Sequence, residues 1–279
     1  MVRKLAIERA SGIVNESHSA TIWGLPMKNK KLILLLPTLL LATGTAVAQD
    51  DEAPERYTYA TYLKCDTSTE SLADDYVKET EAPVMDKLVE DGTYLGWGWL
   101  RHHTGGEWRR IRYYQTDSLN GALAGLGKMT EAFEEAGAGD DVGVGASCKS
   151  HDDYIWKVES GTAGTERGTA GVSVYFTCKI TGEDRADEIM ANDFAPIYDK
   201  LVEEGKITSW GWQSHVIGGW FRRLFTMTGT DYATLMDARG EALAAQFGED
   251  NAAGVEFAGI CSNHHDYLWD IVHEKQASN

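Results

Sequence analysis

The sequence predicts an α+β protein built from two tandem β-α-β-β-α-β units. Two observations predict it. First, residues 57–158 and 170–271 repeat at a constant offset of 113, pairing Cys65 with Cys178, Pro83 with Pro196, Gly92 with Gly205, Trp97 with Trp210, Cys148 with Cys261 and His151 with His264. Second, hydrophobic periodicity inside each copy switches between two and 3.6 in the same order. Two units of about 100 residues each match ordinary domain size.

Tyr57–Cys65 alternates and is rich in Tyr and Thr, so it reads as a strand, with Val172–Cys178 as its counterpart. A helix follows over Leu72–Asp91 and stops at Gly92, a C-terminal signal. Val77, Val84, Leu88 and Val89 share one face, and Met190, Ile197, Leu201 and Val202 repeat that stripe. Pro83 and Pro196 lie inside the pattern and should kink or split it. Tyr94–His103 and Trp108–Gln115 read as strands around a Gly105-Gly106 turn. Leu119–Glu135 is a second helix, matched by Tyr232–Phe247, and Asp153–Val158 is a short last strand. The Gly/Thr/Ser-rich stretch 159–171 reads as a linker, which sets the first unit at 49–158 and the second at 172–279.

Residues 27–48 have the form of a signal peptide. Met27–Lys31 is basic, Leu32–Ala42 is apolar, and Ala46-Val47-Ala48 gives a small-x-small cleavage pattern before Gln49. The apolar run is too short for an ordinary span. Residues 1–26 lack this logic and read as an upstream over-extension, with Met27 the expected start. After cleavage no second long apolar run remains, so no membrane attachment is expected of the mature chain. The expected location is the periplasm or the medium.

Export makes the cysteines interpretable. The four fall two per copy with equal spacing of 83, so disulfides Cys65–Cys148 and Cys178–Cys261 are expected. The element order is the ferredoxin-like split βαβ unit, in which the first and last strands are antiparallel neighbours. That topology places Cys65 beside Cys148, in agreement with the pairing.

The formal charge is −17, and a product starting at Gln49 has 20 basic and 41 acidic residues, or −21. Such a surface repels nucleic acid and anionic membranes. No phosphate-binding glycine loop, G-x-S-x-G elbow or C-x-x-C-H haem attachment occurs.

The sharpest repeated pattern is W-G-W-x-x-H-x-x-G-G-x-x-R-R. It comprises Trp97, Trp99, His102, Gly105, Gly106, Arg109 and Arg110, then Trp210, Trp212, His215, Gly218, Gly219, Arg222 and Arg223. Read functionally, the indoles wall a pocket, His102 or His215 transfers a proton, and Arg110 or Arg223 binds an anion. Read structurally, it is a hairpin with packing tryptophans and ion-paired arginines. Tyr62 and Tyr175, at the centre of the first strand of each copy, join the ligand-binding candidates. A second pattern, C-x-x-H-x-D-Y-x-W, places His151 near Asp153 and His264 near Asp266. Each pair is either an acid–base couple or a local hydrogen bond at a strand start. One Cys and one His make half a zinc site, so no metal site is expected.

With its element order, its duplication and its GWGW–GG–RR hairpin, residues 57–271 resemble the dimeric α/β-barrel superfamily, in which two such sheets pack face to face. The resemblance implies an intramolecular barrel. It also implies a choice among cofactor-free monooxygenases, isomerases, haem-binding enzymes and proteins without activity, since fold does not fix function. The leading expectation is an exported protein that binds a small apolar or anionic molecule, with no cofactor. The alternatives are a barrel oxidoreductase, cofactor-free or haem-dependent with His102 or His215 as axial ligand, and a structural module. The copies differ at Glu107/Trp220, Arg112/Phe225 and His103/Val216, so any single pocket should be asymmetric. No oligomeric state follows from these residues.

Overall fold

A computed structural model describes residues 55–138, 143–163, 167–249 and 251–277. The expected signal peptide and the upstream extension lie outside the described residues, as does the middle of the expected linker.

In the first copy the order is β1 (Tyr57–Cys65), α1 (Glu70–Tyr76), α2 (Ala82–Glu90), β2 (Gly96–Thr104), β3 (Arg110–Thr116), α3 (Leu119–Glu135), α4 (Val144–Ser147) and β4 (Cys148–Ala163). The second copy gives β5 (Ala170–Thr177), α5 (Glu183–Ile189), α6 (Ala195–Glu203), β6 (Ser209–Ile217), β7 (Arg223–Gly229), α7 (Tyr232–Phe247), α8 (Ala252–Ile260) and β8 (Asn263–Gln276). A π-helical turn joins α1 to α2 at Val77–Glu81, and another joins α5 to α6 at Met190–Phe194. The prolines explain both. Pro83 and Pro196 have no N–H to give the carbonyl four residues back, and the wider turn absorbs the misfit before the helix restarts with Pro in its first turn. Ser118 and Asp231 cap α3 and α7 by accepting N–H bonds from Gly121 and Thr234.

All eight strands form one closed barrel in the order β1-β3-β2-β8-β5-β7-β6-β4. This differs from two separate sheets stacked face to face. The reason is the length of β4 and β8. The first part of β4 pairs with β1, while Ile155–Ala163 pairs with β6. Likewise β8 pairs first with β5 and then, through Leu268–Gln276, with β2. Each long strand belongs to both copies, so no sheet edge is left open. Most of the expected linker is therefore strand: Ser160, Gly161 and Thr162 sit opposite Trp212, Gly211 and Trp210.

Both expected disulfides are present, Cys65–Cys148 and Cys178–Cys261. In the chain-entropy model each loop closure contributes about 4 kcal/mol. The helices cover the outside of the barrel and bury two matching clusters, one around Trp97, Trp99 and Tyr114, the other around Trp210, Trp212 and Phe225. A third cluster of twelve buried residues, eight of them Tyr or Trp, fills the interior. Among the described residues no helix is long and apolar enough to cross a membrane.

Candidate functional site

The repeated motif sits mainly between barrel and helices. On β2, alternation sends Trp97 and Trp99 outward under α1 and α2. There Trp97 Nε1 donates to Asp86 at 2.7 Å and Trp99 Nε1 to Asp74 at 2.8 Å. Trp210 and Trp212 repeat this with Asp199 and Asp187. Arg110 is fully buried and gives Nε and Nη2 to the two oxygens of Asp74; Arg223 does the same with Asp187. Arg109 and Arg222 hold Glu70 and Glu183 and also donate to Nδ1 of His102 and His215. Each histidine then places its ring edge-on to aromatic rings of the other copy: His102 to Tyr267 and Trp269, His215 to Tyr154 and Trp156. Burial first, then the neighbouring guanidinium, holds both imidazoles below their ordinary pKa. The hairpin glycines belong to the same lock. A Cβ at Gly105 would lie 2.6 Å from the Tyr267 ring, and one at Gly218 2.6 Å from the Tyr154 ring. Thus the tip of each hairpin closes over a tyrosine of the other copy, and φ near +140° at Gly105 and Gly218 asks for glycine in any case.

The interior is a different environment. Tyr62 stacks on Trp108 at 4.2 Å, meets Tyr154 and Tyr175 edge-on, and accepts a bond from Trp156 Nε1 at 3.1 Å. The Tyr62 and Tyr175 hydroxyls are hydrogen-bonded to one another, and burial pushes both phenols well above their usual range. These rings fill much of the lumen but leave a cavity of about 90 Å³. It is lined by Tyr62 and Tyr175, by apolar groups such as Leu100, Ile111 and Leu224, and by Tyr113, Arg167, Gln213 and Trp269. Of the expected ligand-binding residues, only Tyr62 and Tyr175 line it; the four tryptophans and two arginines of the repeated motif do not.

Three lining side chains carry a buried polar atom with no hydrogen-bond partner: Trp269, Gln213 and Arg167. Trp269 Nε1 is a donor without an acceptor, although its counterpart Trp156 Nε1 has Tyr62. Gln213 Oε1 is an acceptor without a donor on a residue only 7% exposed. Such orphans are rare in folded proteins because each costs the desolvation of a polar group. Nearby, the Tyr113 hydroxyl bonds to Glu274 Oε1, and Arg167 Nε lies 2.8 Å from Glu274 Oε2. Burial raises the Glu274 carboxyl above its ordinary pKa, with Arg167 and the Tyr113 bond opposing.

His151 and His264 lie outside this chamber on exposed strand starts, 3.0 and 2.6 Å from Asp153 and Asp266. Among the described residues no group of three or more His, Cys, Asp or Glu is placed to hold a metal. The residues do not fit a haem. Neither His102 nor His215 lines the cavity, each already receives an arginine N–H on Nδ1, and a cavity of about 90 Å³ is far too small for a haem macrocycle.

Sequence reading missed Gln213, Arg167, Glu274 and Tyr113. Their signal lies in differences between the copies. At the offset of 113, Leu100 becomes Gln213, Tyr113 becomes Thr226 and Gly161 becomes Glu274, while Arg167 falls between the copies.

No family model matches the chain, and no curated protein sequence matches it. Solved structures do. A "putative monooxygenase" from Lactobacillus acidophilus superposes with a TM-score of 0.56 at 10% identity, over 80% of this chain and 97% of that one. A second, from Fusobacterium nucleatum, gives 0.54 at 9% identity over 81% and 96%. An anthrone oxidase-like protein gives 0.50 at 15% identity over 82% and 95%. At these identities the likeness is one of fold alone, that of a dimeric α/β barrel.

Proposed function

We propose that this chain is an exported tandem of two ferredoxin-like units, fused into one barrel, that binds a small, partly apolar molecule in its lumen. One observation carries the reading: the cavity keeps an unbonded donor, Trp269 Nε1, and an unbonded acceptor, Gln213 Oε1, in a wall that mixes aromatic and aliphatic side chains with hydroxyl-bearing Thr58, Ser173, Thr226 and Thr228. A ligand with one hydrogen-bonding group and an apolar body would satisfy both. Arg167 supplies a positive group for an anionic ligand. The two disulfides and the expected signal peptide support export. An absorbance scan and native mass spectrum of the protein purified from its source test the reading. A bound small mass that is lost in Gln213→Leu supports it. An empty chain that also takes up no small aromatic at millimolar concentration refutes it.

The second reading is a cofactor-free barrel oxidoreductase, favoured by the monooxygenase-like structures of the same fold. Its chemistry would centre on the lumen. Oxygen consumption with hydroxylated aromatics should then survive His102→Ala and His215→Ala but fall in Trp269→Phe.

A further inference from the structure

The lumen contains a polar group that packing does not require. Glu274 and Tyr113 occupy positions that the other copy fills with Gly161 and Thr226, so the fold itself is compatible with small neutral residues there. A buried ion pair is seldom kept for stability, because apolar replacements of similar volume are often neutral or stabilising. The geometry is also unusual. Tyr113 and Arg167 line the cavity, and Glu274 stands behind them. Glu274 Oε1 accepts from the Tyr113 hydroxyl, which leaves the oxygen lone pairs of that hydroxyl available. Arg167 Nε and Glu274 Oε2 are close enough for charge pairing but not aligned as a hydrogen bond, so both atoms are uncommitted. The other titratable neighbour, His273, turns outward to Asp86.

We propose that Tyr113, Glu274 and Arg167 form an acid-capture site for a weakly acidic hydroxylated aromatic held against Trp269 and Gln213. This rests on the reading of the lumen as a ligand site. The ligand O–H bond breaks as Tyr113 Oη takes its proton. The Tyr113 O–H bond breaks as its own proton passes to Glu274 Oε1, which regenerates the tyrosine hydroxyl. Glu274 becomes neutral, the ligand becomes an oxyanion, and Arg167 turns from one anion to the other. The group carries no net charge before or after, so the transfer buries no extra charge. Burial, which disfavours the Glu274 carboxylate, works in the same direction. Tyr113 and Arg167 touch the ligand; Glu274 acts through Tyr113.

The test uses para-nitrophenol and the full exported chain. Tryptophan fluorescence reports whether the probe binds, and the yellow phenolate band reports its ionisation. In the wild type the bound probe should ionise at least tenfold more readily than the free probe. Tyr113→Phe and Glu274→Gln should still bind it while returning its ionisation to the free value, and Glu274→Asp should recover part of the effect. Thr226→Tyr, which copies the matched residue into the cavity, should abolish binding. A wild-type protein that binds the probe in neutral form overturns the acid-capture site and leaves the lumen reading standing. Absence of binding, or binding unaffected by Thr226→Tyr, removes both. The wild-type titration decides the matter even where a variant does not fold.

Discussion

Replacing Asp74 by alanine removes three bonds at once. Its Oδ1 accepts from Arg110 Nε at 2.6 Å and Trp99 Nε1 at 2.8 Å, and its Oδ2 accepts from Arg110 Nη2 at 2.7 Å. The Arg110 side chain is 2% exposed and would keep only backbone carbonyls and the Glu70 carboxylate, 3.5 Å away. Removing one partner of a buried ion pair costs about 3–5 kcal/mol. The matched change, Asp187→Ala, is milder. Arg223 retains a true hydrogen bond to Glu183 at 3.0 Å, and Asp187 is itself 26% exposed. Three bonds are lost there too, but Arg223 stays paired with Glu183, so a smaller loss of about 1.5–3 kcal/mol is expected, the scale of a hydrogen bond to a charged group. Urea unfolding followed by circular dichroism and by fluorescence measures both, with m unchanged. For a barrel of this size each kcal/mol moves Tm by about 2–4 °C, so the Asp74 variant should melt about 6–20 °C low. Equal losses in the two copies, or a loss below about 1 kcal/mol for Asp74→Ala, would refute the reasoning that these carboxylates hold the helices to the barrel.

Other consequences can be checked alongside. His102 and His215 are held below their ordinary 6.5 by burial and by Arg109 and Arg222, so the unfolded chain takes up protons there before the folded one does. Stability should therefore fall as pH drops below 6.5. A His102→Gln/His215→Gln variant should lose that slope and keep the later loss below about 4.5, where the unfolded chain protonates Glu70 while the folded chain, through its Arg109 bonds, still holds it ionised. Gly106→Ala would drive a methyl into the Tyr267 hydroxyl and should cost about 1–3 kcal/mol by thermal melting. Gly127→Ala, in α3 with open space around it, should instead stabilise by about 0.5–1 kcal/mol. Gln213→Leu copies Leu100 and removes a buried unbonded amide; it should leave stability equal or higher while weakening lumen binding about tenfold in calorimetry.

The parts of the fold carried by local periodicity were legible. The bounds of α3 and α7 and the range of β1 follow from apolar spacing, and the disulfides follow from equal cysteine spacing in a duplicated chain. A barrel was expected only through the resemblance, and its closure by long strands was not legible locally, because Ser160-Gly161-Thr162 has loop composition and becomes strand only when β6 pairs with it. Alternation showed that Trp97 and Trp99 share a face but not which face looks inward. Their true partners, Asp86 and Asp74, lie on helices 11 and 25 residues away and form no motif with them. The repeated residues turned out to hold hairpins, helices and barrel together. Trp269 apart, whose counterpart Trp156 is identical, the polar groups that set the lumen's chemistry sit where the copies diverge, at Gln213, Tyr113, Glu274 and the inter-copy Arg167.

The most direct test of the lumen as a binding site is a crystal structure of the protein soaked with phenol. The account predicts electron density for one ring inside the barrel, its hydroxyl within hydrogen-bonding distance of Trp269 Nε1 or Gln213 Oε1. A well-ordered barrel with the ring bound only on the outer surface, and the Trp269 and Gln213 atoms still without partners, would contradict it.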